Sequence, residues 1–407
     1  MPLFSQTPLT LPELTTALAA PQTLPANVAQ RRLPAADHAP AHLLPAYACG
    51  TGPELPPALV RRMLLLHAQR LSHGDVAGAT VRRLLDFYNR EVCPVVFEQG
   101  GSALAHLSLP LLGLGEVNYQ GYHLAAADVL GLFGWEPLAL APAEEMALLG
   151  GFAFSLAYAT EALERTERLL RAADAIGALS AAALAVSVAA PPPQSAHQAL
   201  RARVADVART VEVELNSTAD NPIIFPNENR ILSGGNFYGQ PLALALDHLA
   251  LALAELGSLS ERRTYQLLSG QRGLPAFLVA EPGLNSGLMM PHYTAASLVS
   301  QNKQLCTPAS ADSLTSSNGQ EDYGSLGANA TKARRVLENV EQILGIELFT
   351  AVQALDLRRA GGSARPGPAL ETVAAAFRQV VTFVPRDRVL YPDLHRAARF
   401  VREHGWQ

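Results

Sequence analysis

EPGLNSGLMMPHYTAASLVSQNKQLCTPASADSLTSSNGQED, residues 281–322, is the stretch on which the fold of this chain turns. Glu281-Pro282-Gly283 is a turn. From Ser286 to about Leu305 the spacing is helical, and Leu288, Met289, Met290, Tyr293, Ala295, Ala296, Leu298 and Val299 leave no wide polar face. A helix apolar nearly all round is expected to be buried on several sides. Its polar residues gather at the C-terminal end, from Ser300 to Gln304. A loop rich in Ser, Thr and Pro follows, and a second helix is predicted to start near Gln320-Glu321-Asp322. Those acids would lie at the positive end of the second helix, and Lys303 at the negative end of the first. One lysine and two acids are thereby brought to the same end of a helical layer. That arrangement reads either as helix capping or as a polar pocket at the end of a bundle.

Composition narrows the surroundings of that layer. Apolar residues make up 49% of the 407 and charged ones 16%, against about a quarter charged in an ordinary soluble domain. So little charge predicts extra surface buried between subunits. The net charge is −5 with no basic run, which disfavours nucleic acid and anionic membrane as partners. Cys49, Cys93 and Cys306 are odd in number and far apart, so they form neither a disulfide framework nor a zinc site. The opening MPLFSQTPLTLPEL lacks a basic segment before an apolar run, so it is not expected to act as a signal peptide. Residues 175–200 are nearly uncharged, but they are Ala-rich and interrupted by Pro191-Pro192-Pro193. They fall short of the ~20 strongly apolar residues a membrane span needs. A cytoplasmic protein with no membrane contact is expected.

Taken in order, a short helix is predicted over 9–20, then an irregular Pro- and Ala-rich part over 21–46. Tyr47-Ala48-Cys49-Gly50-Thr51-Gly52 is a turn, too short for a phosphate loop because it lacks the Lys-Ser/Thr. Amphipathic helices follow over 57–73 and 76–90. The first extended stretch is 93–101, a helix covers 103–112, and a turn or hairpin covers 118–123. One long helix is predicted over 143–173 and another over 195–216, the latter stopped by Asp220-Asn221-Pro222. Ile223 to Phe225 is a short strand. Gly234-Gly235-Asn236-Phe237-Tyr238 makes a tight turn that presents polar groups at the N-terminus of a helix over 242–268. The last long helix runs from about Gln320 to Arg359, roughly 60 Å at ~1.5 Å per residue. Closing helices are predicted over 371–384 and 393–404. The expected architecture is mainly α: an elongated bundle of long helices with a small irregular N-terminal part. It divides as 1–142, a mainly helical N-terminal region; 143–360, the central bundle; and 361–407, a C-terminal helical segment.

GGNFYGQPLALALDHLALALAELGSLSERR (234–263), EPGLNSGLMMPHYTAASLVSQNKQL (281–305), NGQEDYGSLG (318–327) and ELNSTADNP (214–222) together resemble the histidine and phenylalanine ammonia-lyase family. PALVRRMLLLHAQRLSHG (57–74), LAHLSLPLLGLGEV (104–117) and ALDLRR (354–359) fit the same family, in the right order, over about residues 9–407. The resemblance implies the long-helix fold of ammonia-lyases and fumarases. It also implies a homotetramer whose active sites each draw on three subunits.

It further implies a 4-methylideneimidazol-5-one electrophile, made in the family by cyclising an internal Ala-Ser-Gly. Counting back from Leu104-Ala105-His106 places that tripeptide at Phe97-Glu98-Gln99, where it is missing. Gly101-Ser102-Ala103 stands nearby, with Ala103 in the glycine place. The prosthetic group is therefore expected to be absent, leaving no cofactor. The family's catalytic-tyrosine loop has no counterpart over 32–42, and its carboxylate-binding Arg segment is reduced to Pro191-Pro192 before Pro193-Gln194. Gly150 takes the place of its substrate-contacting Asn, and Tyr47 that of the His in its Ser-His-Ala. Asn236, Phe237, Lys303, Gln320, Glu321 and Asp322 are retained by position; Tyr238 and Tyr323 fall where His is common.

On that resemblance the expected catalytic residues are Glu321, Lys303, Tyr47 and Tyr323, with Asn236, Phe237, Tyr238 and Gln320 binding substrate and no metal. Glu321 would be the base, and Lys303 with the phenols the acid or oxyanion donors. The expected function is a repurposed enzyme driving elimination, isomerisation or cyclisation of a small or carrier-bound carbonyl compound. The alternative is a non-catalytic homologue that binds a ligand or partners a paralogue, and an ordinary ammonia-lyase ranks last. Each residue also has a plain structural reading. Asn236 can cap a helix, Phe237 can belong to the core, and Lys303 with Glu321 can be an ion pair. His106, His248 and His292 lie on apolar helical faces and are expected in the core or at an interface.

Overall fold

A computed structural model of the chain describes residues 4, 8–31, 43–74, 76–100, 102–185, 194–217, 223–225, 230–232, 239–311, 324–361 and 366–406. The chain is mainly helical, as the periodicity predicts. In order it forms α1 (Leu11–Leu18), α2 (Ala26–Ala29), α3 (Leu43–Tyr47), β1 (Thr51–Glu54), α4 (Pro57–His73), α5 (Gly78–Asn89), β2 (Cys93–Pro94), β3 (Phe97–Gln99) and α6 (Ala103–Ser108). Then come β4 (Glu116–Tyr119), β5 (Tyr122–Ala125), α7 (Ala126–Leu132), α8 (Pro142–Leu149), α9 (Ala153–Ala183), α10 (Gln194–Leu215), β6 (Ile223–Phe225) and β7 (Arg230–Leu232). The chain closes with α11 (Gln240–Leu268), α12 (Met289–Leu305), α13 (Gly324–Ala360), α14 (Pro368–Arg378) and α15 (Tyr391–Glu403).

Two compact units divide these elements. One comprises Met1–Glu161, Ala208–Ala243 and Ser310–Thr331; the other comprises Ala162–Val207, Leu244–Ala309 and Lys332–Gln407.

The first unit holds the short helices and the strands. α4 begins at Pro57, whose missing N–H falls where a helix has no acceptor for it, and ends at Gly74. Its buried Leu59, Val60, Met63, Leu64 and Leu71 form an apolar face that packs with α5. β1 pairs antiparallel with β3, β4 lies between β2 and β5, and β6 pairs with β7. The β4–β5 hairpin turns at Gln120-Gly121, where Gly121 takes φ +86. α6 is capped by Ser102, whose Oγ accepts the Ala105 N–H at 3.2 Å.

The second unit rests on long helices, and several of its buried acids are satisfied by arginines. Glu347, wholly buried on α13, accepts from Arg263 Nη2 at 2.8 Å and from the Ser180 hydroxyl at 2.7 Å. Glu341 accepts from Arg165 Nη2 at 2.9 Å and Arg402 Nε at 2.9 Å. A buried carboxylate held by hydrogen-bonded partners is costly to uncover, because removing one partner strands the other's charge.

Several expectations are corrected. The first strand is β1, not the stretch after Cys93. Its sequence, Thr-Gly-Pro-Glu, carries a Gly and a Pro that weaken any strand reading. The single helix expected over 143–173 is two helices, because Gly150 caps α8 and Gly151 takes φ +93 before α9 starts. α12 begins at Met289 rather than Ser286, and one chain does not bury it on several sides. Pro291, Ala295, Val299 and Asn302 form one buried stripe, while Met290 and Tyr293 are 58% and 60% exposed. The start of the last long helix at Gln320 lies outside the described residues.

Among the described residues two stretches, Gln240–Leu268 and the run Pro142–Ala183 that Gly150 and Gly151 break, are long and apolar enough to cross a membrane. In each, 61% of the most apolar window is buried inside the protein, the pattern of a core helix.

Candidate functional site

Of the eight expected site residues, Asn236, Phe237, Tyr238, Gln320, Glu321 and Tyr323 lie outside the described residues. Tyr47 and Lys303 are described, each within its own unit.

Tyr47 closes α3. Its side chain is half-exposed and its backbone carbonyl accepts the Ser102 N–H at 2.9 Å. Beside it, the Gly50 N–H donates to His106 Nε2 at 2.9 Å, and Phe97 meets the His106 ring edge-on with centroids 5.4 Å apart. Accepting at Nε2 requires the tautomer protonated at Nδ1, and burial holds His106 below the ordinary imidazole range. Tyr47, Phe97, Ser102 and His106 therefore form one cluster, which joins the turn over 47–52 to the segment where the family's tripeptide would fall. His106, expected in the core or at an interface, is half-buried and fixes a loop backbone as well as filling space.

Glu98, on β3, accepts from the Tyr158 hydroxyl of α9 at 3.1 Å. Gly151 approaches Arg70 so closely that a Cβ there would fall 2.5 Å from Arg70 Nε. Arg70 Nη2 also donates to the Ala147 carbonyl at the end of α8. The turn that includes Gly150 is thus roofed by a guanidinium. A small cavity beside it is lined by Gln69, Arg70, Phe152, Glu214 and Ser217.

In the second unit Lys303 is exposed in the last turn of α12. The lysine that gains a buried partner near this helix end is Lys332. Its Nζ donates to Asp247 Oδ1 and to the Thr307 carbonyl, the latter at 2.9 Å. Cys306 lies beside them; burial pushes its thiol pKa up, against the pull of the Lys332 charge. Sequence reasoning missed Asp247, although the signal was there: it is the lone acid in the apolar run 242–254. His292 Nε2 lies 2.8 Å from Glu261 Oε1, whose carboxyl is held below the usual carboxylate range by hydrogen bonds from Arg262 and His292 that outweigh its burial. His248 is exposed and so lies outside the core of this chain. Among the described residues no cluster of three or more His, Cys, Asp or Glu could hold a metal ion.

The fold and its motifs define an aromatic amino acid lyase: the model of that family matches residues 27–196 and 192–379, and the chain belongs to the family. Within it, the chain is similar to histidine ammonia-lyases. That of Symbiobacterium thermophilum is 40% identical, with 88% of this chain and 82% of that one aligned. That of Deinococcus radiodurans is 40% identical over 87% of this chain and 78% of its own. The crystal structure of histidine ammonia-lyase from Trypanosoma cruzi superposes with a TM-score of 0.83 at 35% identity, covering 89% of this chain and 80% of that one. The tyrosine aminomutase of Streptomyces globisporus, with a TM-score of 0.87 at 24% identity over 99% of this chain and 97% of its own, shares the fold.

These relatives overturn the expected function. The sequence alone favours a repurposed elimination, isomerisation or cyclisation enzyme, then a non-catalytic homologue, with an ordinary ammonia-lyase last. Proteins about 40% identical over most of the chain are histidine ammonia-lyases, which points to the conventional activity. The changed loop positions are short segments, whereas the likeness to histidine ammonia-lyases extends over most of the chain.

Proposed function

We propose that this protein acts on histidine, removing its α-amino group. The observation that carries this reading is the 40% identity to histidine ammonia-lyases over nearly nine-tenths of the chain. In this elimination the Cα–N and Cβ–H bonds break, a C=C bond forms, and ammonia and an α,β-unsaturated imidazole acid leave. The reaction asks the site for a base at the β-proton and an acid at the departing nitrogen. Glu321 is proposed as the base and Lys303, with Tyr47 and Tyr323, as proton donors; Asn236, Phe237, Tyr238 and Gln320 line the substrate. Residues 97–103 do not fit the family's electrophile, because Ala103 stands where its cyclising glycine would be.

The working unit is proposed to be a homotetramer in the cytoplasm, with no nucleic acid or membrane partner. The support is a one-sided stripe along α11, where Leu244, Leu251 and Tyr265 stay about half exposed in the isolated chain, together with exposed Met290 and Tyr293 on α12.

The test is purified protein with L-histidine, phenylalanine or tyrosine, following ammonia release and the ultraviolet absorbance of the unsaturated acid. Turnover of histidine above the other two is expected, with Glu321→Gln losing it while the melting temperature stands. Background rates with all three would remove the reading.

A further inference from the structure

We infer that this chain does not mature a 4-methylideneimidazol-5-one, and that the segment in its place has become a strand-to-helix connection whose hydrogen bonds hold it away from the cyclising geometry. The inference rests on family membership and leaves the proposed substrate untouched.

Cyclisation joins the backbone nitrogen of the third residue to the carbonyl carbon of the first. The first water takes that carbonyl oxygen and the two amide hydrogens. The second takes the serine hydroxyl and its Cα hydrogen, leaving the methylidene. Four features of this chain oppose it. Ala-Ser-Gly occurs nowhere in the 407 residues. At Gly101-Ser102-Ala103 the attacking nitrogen belongs to Ala103, whose Cβ crowds the approach.

The third feature is backbone geometry. Ser102 is extended, with φ −98 and ψ 113, so the nitrogen and the carbon to be joined are held apart. That conformation is tied down from two sides: the Ser102 N–H donates to the Tyr47 carbonyl at 2.9 Å, and the Ser102 Oγ caps α6 through Ala105 N. Fourth, the residues just before it are committed to a sheet. Thr51 faces Gln99 and Glu54 faces Phe97, Glu98 is held by Tyr158, and Gly100 at φ +68 turns the strand away.

Elsewhere Ser-Gly follows Leu232, Leu268 and Asn285. At Ser286-Gly287 the glycine N–H is taken by Asp387 Oδ1 at 2.8 Å, and Ser286 N–H by Asp387 Oδ2 at 2.8 Å. At Ser269 the hydroxyl donates to Gln266 O at 2.8 Å, at the end of α11. The pair after Leu232 lies outside the described residues, so the test must cover the whole chain.

Intact mass of the purified protein, with peptide mapping across the chain, is the experiment, run beside the histidine assay on the same sample. The expected mass is that of the unmodified chain, with no added near-ultraviolet absorbance and no spectral change in Ser102→Ala. A deficit of two waters in any peptide overturns the inference. Unmodified mass with histidine turnover supports it and shows elimination by another route. Unmodified mass without turnover supports it too, and removes the proposed function alone.

Discussion

The second unit and the segment around Tyr47 are held in opposite ways. In the second unit, acids such as Glu341 and Glu347 are buried and each is met by arginines on other helices. Around Tyr47, short elements are joined mainly through backbone N–H groups: Ser102 N–H to Tyr47 O, Gly50 N–H to His106, and Leu44 N–H to the buried Glu145 carboxylate. Long helices keep their identity because each buried charge constrains several others. Short connections bear fewer such constraints, so they can lose or change residues while the scaffold stands. That contrast explains how a chain can match histidine ammonia-lyases over most of its length and still lack the tripeptide.

The largest expected effect breaks the well-held side. Glu347→Ala strands Arg263 in the core and should cost on the order of 3–5 kcal/mol, read as a lower midpoint in chemical denaturation. Pairing it with Arg263→Met should recover part of that loss. If the double variant is as unstable as the single, the charge is not what matters.

A smaller effect is expected on the other side. Gly151→Ala forces a side chain into φ +93 and against Arg70, costing about 1–3 kcal/mol. Arg70→Ala should relieve the collision but not the backbone strain. Full recovery in the double variant would show that space alone decides.

The smallest is a slope with pH. His67 is wholly buried, and burial, then the Arg70 charge, holds its imidazole well below the ordinary value. Its folded pKa is lower than its unfolded one, so the unfolded chain takes up the proton first. Stability is therefore complete above the unfolded value of about 6.5 and falls as pH drops below it. Melting temperature between pH 7.5 and 5 should fall in the native chain and fall less in His67→Leu. His73 and His106, also held low by burial, leave a residual slope in that variant. An unchanged slope would clear His67 of the effect.

Much of the fold was legible because helical spacing survives over many residues: 57–73 was read to the residue, and the ends of α10 and α15 to within about two. β1 was not legible, since its pairing with β3 is set by a contact some 45 positions away that Thr-Gly-Pro-Glu does not announce. Nor was the break at Gly150, because Met146-Ala147-Leu148-Leu149 before it and Phe152-Ala153-Phe154 after it keep the apolar character of one continuous helix. Of the candidate site, the contact of Tyr47 with Ser102 was not legible, since the two are some 55 positions apart and meet through a backbone hydrogen bond. Lys332 was overlooked because a lysine in a charged helical run looks solvated until Asp247 is seen to face it. The stripe on α12 misled in the other direction. Composition shows an apolar residue but not which molecule covers it.

Asp387, between α14 and α15, reaches back about a hundred positions to hold the backbone of Ser286 and Gly287, and Gln353 binds the Val384 carbonyl nearby at 2.8 Å. Arg402 completes the shell of Glu341. The last stretch of chain is therefore a fastening, and a protease nicking the loop after Arg378 would loosen the entrance to α12 rather than trim a tail. During synthesis, the chain entering that helix must wait for a residue made about a hundred codons later before its backbone is secured.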